Sequence, residues 1–107
     1  MRHHNVNRKF GRVAGQRRAL LRSLAISLVR DGKMTTTEAR AKELRPFVER
    51  MVTTAREGTL ASRRALLTRL GGEATGAKRL VSDYGPRYME RQGGYTRITK
   101  LPSRVSD

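Results

Sequence analysis

Residues 35–58 read Thr35-Thr36-Thr37-Glu38-Ala39-Arg40-Ala41-Lys42-Glu43-Leu44-Arg45-Pro46-Phe47-Val48-Glu49-Arg50-Met51-Val52-Thr53-Thr54-Ala55-Arg56-Glu57-Gly58. Leu44, Phe47, Val48, Met51, Val52 and Ala55 recur at steps of three and four, the period of one face of an α-helix. The spacing predicts a core-facing helix, its Phe and Met positions belonging to the core rather than to a ligand site. Thr35 and Glu38 have the spacing of a capping box that would open it. Glu57-Gly58 would close it. Pro46 lies inside the pattern. It lacks an N–H donor and its ring clashes with the preceding turn, so a kink or a division is expected there. Glu38 and Lys42 stand four apart and fit a surface ion pair.

The neighbouring segments follow from this helix. Upstream, Leu20, Leu21, Leu24, Ala25, Leu28 and Val29 share one face of a predicted helix from Gln16 to Arg30, with Arg18, Arg22 and Arg30 toward the other. Asp31-Gly32 ends it. Ile26 falls among the arginines, as a contact for a second partner or as an ordinary exposed apolar residue. Lys33 to Thr36 reads as a short strand. Downstream, a helix is expected over Leu60–Leu70, with Leu66, Leu67 and Leu70 apolar and Arg63, Arg64 and Arg69 polar. Gly71-Gly72 breaks it. A fourth helix runs from Ala74 to Tyr84 and stops at Gly85-Pro86, and a helical turn covers Arg87 to Arg91. Gly93-Gly94 opens a strand from Tyr95 to Leu101, followed by a polar tail. Residues 1–15 read as a basic extended arm, and residues 16–107 as a single folded domain.

Charge is the strongest functional signal. The chain of 107 residues carries 24 Lys+Arg against 9 Asp+Glu, a formal net charge of +15. A body this small would repel itself without a polyanion. Nucleic acid is the natural candidate and an anionic membrane surface the weaker one. From Met1 to Arg30 there is no acidic residue. Arginine predominates, and its planar fork grips phosphate bidentately and stacks on bases. Hydrophobic residues make up 36%, against about 45–50% in ordinary domains, so part of the chain is expected not to fold alone. Cysteine is absent, which excludes disulfides, thiolate zinc sites and cysteine nucleophiles. No apolar run approaches the roughly 20 residues of a membrane span. Met1-Arg2-His3-His4 offers no apolar signal core, and a cytoplasmic protein is expected.

No catalytic arrangement emerges, and neither a cofactor nor a metal is expected. His3 and His4 are adjacent on the arm, without a carboxylate at ligand spacing. Glu38, Glu43, Glu49 and Glu57 lie among Arg and Lys and read as surface ion pairs, not as an acid–base dyad. Gly71-Gly72 and Gly93-Gly94 lack the Lys and the glycine pattern of a phosphate loop. Phosphate chemistry is what remains. Basic groups mark the arm, the outer face of the first helix (Arg18, Arg22), the third helix (Arg63, Arg64) and the tail (Lys100). Between residues 84 and 97, Tyr84, Tyr88 and Tyr95 interleave with Arg87, Arg91 and Arg97. Such planes can stack on unpaired bases, or the tyrosines can serve the core and leave the arginines solvated.

Gly85-Pro86-Arg87-Tyr88, then Arg91, Gly93-Gly94-Tyr95-Thr96-Arg97-Ile98 and Lys100, resembles the signature of the bacterial large-subunit ribosomal protein family L seventeen. Met1-Arg2-His3, Arg8-Lys9, Arg12, Arg17, Arg22 and Ser27-Leu28-Val29-Arg30 resemble its arm and first helix. Thr35-Thr36-Thr37 and Ala41-Lys42-Glu43-Leu44-Arg45 resemble its strand-to-helix junction. The resemblance covers nearly the whole chain. It implies an α/β (α+β) fold, mainly helical, with about four helices packed on a small β-sheet. It implies binding to 23S rRNA near the outer rim of the peptide exit tunnel, beside ribosomal proteins twenty-two and thirty-two. It carries over RNA contacts to Arg2, His3, Arg8, Lys9, Arg12, Arg17, Arg22, Arg87, Arg91, Tyr95 and Arg97. Family members continue with a further apolar strand that this sequence lacks, so either the sequence is a fragment or the sheet has lost an edge strand.

The expected function is that of a structural constituent of the large ribosomal subunit, not an enzyme, with no membrane partner and no homo-oligomer. A helix-turn-helix DNA regulator would have to join its helices through residues 31–36, which is longer than the usual 3–4-residue turn. A basic amphipathic membrane binder would account for the first helix alone.

Overall fold

In the computed structural model, which describes residues 14–102, the helix α2 (Glu38–Ala55) is the element on which the others meet. Its apolar stripe buries Leu44, Val48, Met51, Val52 and Ala55, the positions set by the three-and-four spacing. The helix α1 (Ala14–Asp31) packs against it with Ala25 and Val29. The helix α3 (Leu60–Arg69) packs on it through Leu66, and the short helix α4 (Ala74–Arg79) contacts both α1 and α3. Met51, Leu66 and Leu80 are the largest fully buried side chains. Ile26, which its sequence neighbours left ambiguous, is half-buried and packs against this core.

The start of α2 differs from the expected capping box. The N-cap is Thr37, not Thr35: its hydroxyl accepts the Arg40 amide at 3.3 Å. Three consecutive threonines offer the same chemistry. With Thr37 as the cap, Glu38 takes the first helical position and Lys42 reaches it one turn later, at 3.0 Å. Pro46 does not divide α2, which runs unbroken through it. Pro46 and Lys42 are exposed, and the proline has no amide to offer the Lys42 carbonyl.

The fourth helix does not stop at Gly85-Pro86 either. From α4 the chain enters a π-helical turn, Leu80–Tyr84, and continues into α5 (Gly85–Arg87). The Gly85 amide reaches back five residues to the Leu80 carbonyl. The widened turn leads the helix into a proline that has no amide to donate. At Gly85 the chain comes so close to α2 that a Cβ would stand 2.6 Å from the Ala55 carbonyl oxygen.

This path sets Tyr84 beneath α1. Its hydroxyl donates to the Val29 carbonyl at 2.9 Å. That carbonyl belongs to the last turn of α1, where acceptors have no intrahelical partner. Tyr84 therefore caps a helix from 55 residues away, while the Gly32 amide, at φ +82°, takes the Leu28 carbonyl at 2.7 Å. Replacing Tyr84 by Phe is expected to cost about 1–2 kcal/mol, since it strands a buried acceptor. In urea, the midpoint should fall with the slope unchanged.

No strand or sheet forms among the described residues, so the expectation of an α/β fold with helices packed on a small sheet is corrected to a helical one. The two segments read as strands, 33–36 and 95–101, are irregular. The second is held to α2 by side chains instead of by a ladder. Arg45 donates to the Thr96 carbonyl at 3.5 Å, and the Thr96 hydroxyl donates to Glu49 at 2.6 Å. Tyr95 is buried, with its hydroxyl 3.2 Å from that of Thr53. Period-two patterning reports an extended segment with two unlike faces; here the inner face meets a helix.

Candidate nucleic-acid interface

Several carboxylates are engaged locally. Asp83 serves Arg87 at 2.8 Å and Arg79 at 3.6 Å. Glu38 serves Lys42 and also Lys100, the latter at 3.7 Å. Glu73 caps α4 by accepting the amides of Thr75 and Gly76. By contrast, α3 has no acidic residue and α1 none before Asp31. Arg30 pairs with Asp31 at the end of α1, and among the described residues no ion pair engages the arginines earlier in α1 or those of α3.

The sequence-predicted residues fall into two groups and a remainder. Arg2, His3, Arg8, Lys9 and Arg12 lie outside the described residues. The first group comprises Arg17, Arg18 and Arg22 on α1 with Arg63 and Arg64 on α3. Arg17 is half-buried, and its Nε has no hydrogen-bond partner. Arg18, Arg63 and Arg64 are exposed. Arg22 lies across the turn after α3, its Nε donating to the Arg69 carbonyl at 3.0 Å. A guanidinium there meets the negative end of the α3 dipole, and its stem packs within 3.4 Å of where a Gly71 Cβ would be. Arg22 is thus a structural strut as well as a surface charge.

Around Arg18 and Arg22 the structure gathers residues that the sequence reading did not single out as a site. Arg50 of α2 and Arg69 of α3 join them around a cleft of about 240 Å³, floored by Leu21 and Phe47. The three-residue spacing of Phe47 and Arg50 puts both on one side of α2. Nothing in the sequence says that α1 and the end of α3 meet them there.

The second group is the tail. Arg87 stacks over the Tyr84 ring at 4.9 Å from its centroid. The Tyr84 and Tyr88 rings lie 6.5 Å apart and nearly parallel, and Tyr88 meets Tyr95 at 5.4 Å. Tyr84 and Tyr95 are buried; Tyr88 is half-exposed. The Tyr95 hydroxyl receives Arg56 at 3.1 Å and donates to the Arg91 carbonyl at 3.3 Å. Arg91 itself closes the turn by donating to the Gly94 carbonyl at 3.0 Å. Arg97 and Lys100 are exposed. This segment edges a trough of about 1220 Å³ that runs between residues 33–38 and 95–102 over Leu44 and Val48.

Glu49 locks the tail to α2. Burial would raise its carboxyl, but hydrogen bonds from Thr96, Arg45 and the Gly94 backbone outweigh that and hold it below the ordinary value of 4.5. A carboxyl depressed in the folded state stabilises fully above its unfolded value, and the gain is lost as pH falls through the folded one. Glu49→Gln is therefore expected to melt below the wild type at neutral pH. The gap should narrow as pH falls below 4.5 and the carboxylate is protonated, which thermal melts across pH would reveal.

The family model described as Ribosomal protein L17 matches residues 20–107. The large ribosomal subunit protein bL17 of Gemmatimonas aurantiaca is 50% identical over 107 residues, covering 100% of this chain and 90% of the relative. That of a Hydrogenobaculum species is 49% identical over 104 residues, 97% of this chain and 87% of the relative. That of Fusobacterium nucleatum is 46% identical over 107 residues, 100% of this chain and 91% of the relative. With a family model covering most of its length and relatives near half identity end to end, the chain belongs to the ribosomal protein L17 family.

Proposed function

We propose that this chain binds 23S rRNA through its arginine-rich arm and the acid-free faces of α1 and α3, and helps assemble the region around the peptide exit tunnel. As a member of its family it is a structural, non-enzymatic constituent of the large ribosomal subunit, working in the cytoplasmic ribosome. Its neighbours there are proposed to include ribosomal proteins twenty-two and thirty-two. The observation that carries the reading is the uneven charge: a net +15 chain in which α3 has no acidic residue and α1 none before Asp31. Phosphates would replace the missing counter-charges and release bound counterions as they do so. Exposed Arg18, Arg63, Arg64, Arg87, Arg91, Arg97 and Lys100 would position the folded body on RNA by its shape, not by reading bases.

Sucrose-gradient fractionation of a lysate tests this directly. The protein should travel with large subunits and stay with them through a moderate-salt wash. Recovery at the top of the gradient, free of rRNA, would refute the assignment.

A further inference from the structure

The cleft between α1, α2 and the end of α3 has a composition that the general charge argument does not require. Its rim is four arginines, Arg18, Arg22, Arg50 and Arg69, and its floor is Leu21 and Phe47. Among the described residues no carboxylate pairs with Arg18, Arg50 or Arg69, and Arg22 is engaged only with the Arg69 carbonyl. A solvated basic face would not need a concave apolar floor ringed by guanidinium groups.

We propose that this cleft receives one unpaired nucleotide of the bound RNA, its base against Phe47 and Leu21 and its phosphate on Arg18, Arg50 and Arg69. The inference rests on the RNA-binding reading and narrows it to a single subsite. The apolar floor favours a nucleotide over a bare anion. A lone phosphate on the arginine rim would leave Leu21 and Phe47 wet. A duplex presents stacked bases that cannot enter a concavity, whereas a splayed base exposes a flat apolar face for an aromatic ring or a guanidinium plane. Arg22 is already fixed by its bond to Arg69, so its plane stands ready without further ordering.

The test uses the full chain and two RNA probes of equal phosphate count, a 12-nucleotide oligoadenylate and its fully abasic counterpart. Wild type is expected to bind the oligoadenylate about tenfold more tightly, in line with stacking of one base. Phe47→Leu keeps apolar bulk on the floor but removes the ring, and should bring the two affinities together. Arg50→Gln, at an exposed position, should weaken both probes and make the salt dependence shallower by about 0.7 in log–log slope. Lys78→Gln, at an exposed position outside the cleft and outside the proposed RNA contacts, should leave the base preference intact. Equal binding of the two probes by wild type would overturn the subsite while leaving RNA binding in place. Failure to bind either probe at low salt would overturn the subsite and count against RNA binding generally. Displacement of the oligoadenylate by an equimolar glutamate 12-mer would overturn it in favour of an acidic protein segment.

Discussion

Gly85→Ala is expected to be the most damaging single-methyl change in the described residues. The added Cβ would meet the Ala55 carbonyl oxygen at 2.6 Å and the carbonyl carbon at 3.0 Å. Both atoms are backbone of α2, so no flexible side chain can yield. Either α2 or the π-turn must move, and moving either disturbs Ala55, Leu80 and Tyr84, all in the core. Overpacking of this kind costs about 1–3 kcal/mol or more, and loss of the Tyr84 bond to Val29 adds to it. Against a total stability of about 5–15 kcal/mol, a fall of roughly 15 °C in Tm is expected by far-UV circular dichroism. Gly15→Ala supplies the contrast. That glycine sits in α1 with nothing within 4 Å, and the change should be neutral or add up to about 1 kcal/mol. Equal melting of the two variants would show that the close crossing of α5 and α2 is not tight.

Removal of residues 1–13 is expected to have the largest effect on RNA affinity. The segment carries Arg2, Arg8, Lys9 and Arg12 and no acid. If each neutralises one phosphate, the log–log salt slope should become shallower by about 3. Between 50 and 200 mM salt the wild type would then lose about 50-fold more affinity than the truncated chain. The buried core of the described residues runs from Ala25 to Tyr95, outside the deleted segment, so the folded body should persist. Titration of labelled rRNA at several salt concentrations, alongside a thermal melt, separates the two quantities. An unchanged slope would remove the arm from the interface.

The helices α1 and α2 were legible because their buried faces recur in the sequence at helical spacing. Leu44, Val48, Met51, Val52 and Ala55 are the clearest case. What escaped was decided by partners distant in sequence. Period-two alternation after Gly94 cannot distinguish a strand beside another strand from an extended tail lying on a helix. Thr96 bound to Glu49 settles that only in three dimensions. Gly85 resembled a terminator because Gly-Pro ends helices locally. Its actual task is to let two backbones touch, with Ala55 30 residues earlier in the chain. The charge distribution was visible at once, since it needs no geometry. The four-arginine cleft was not, since α1, α2 and α3 each contribute only part of it.

The π-turn also governs how the segment can change in length. A helix advances by about 100° per residue, so excising one residue between 80 and 84 would swing everything that follows by that angle. Gly85 would no longer confront Ala55, and the aromatic row behind it would rotate off α2. Insertions and deletions should therefore be barred from this stretch.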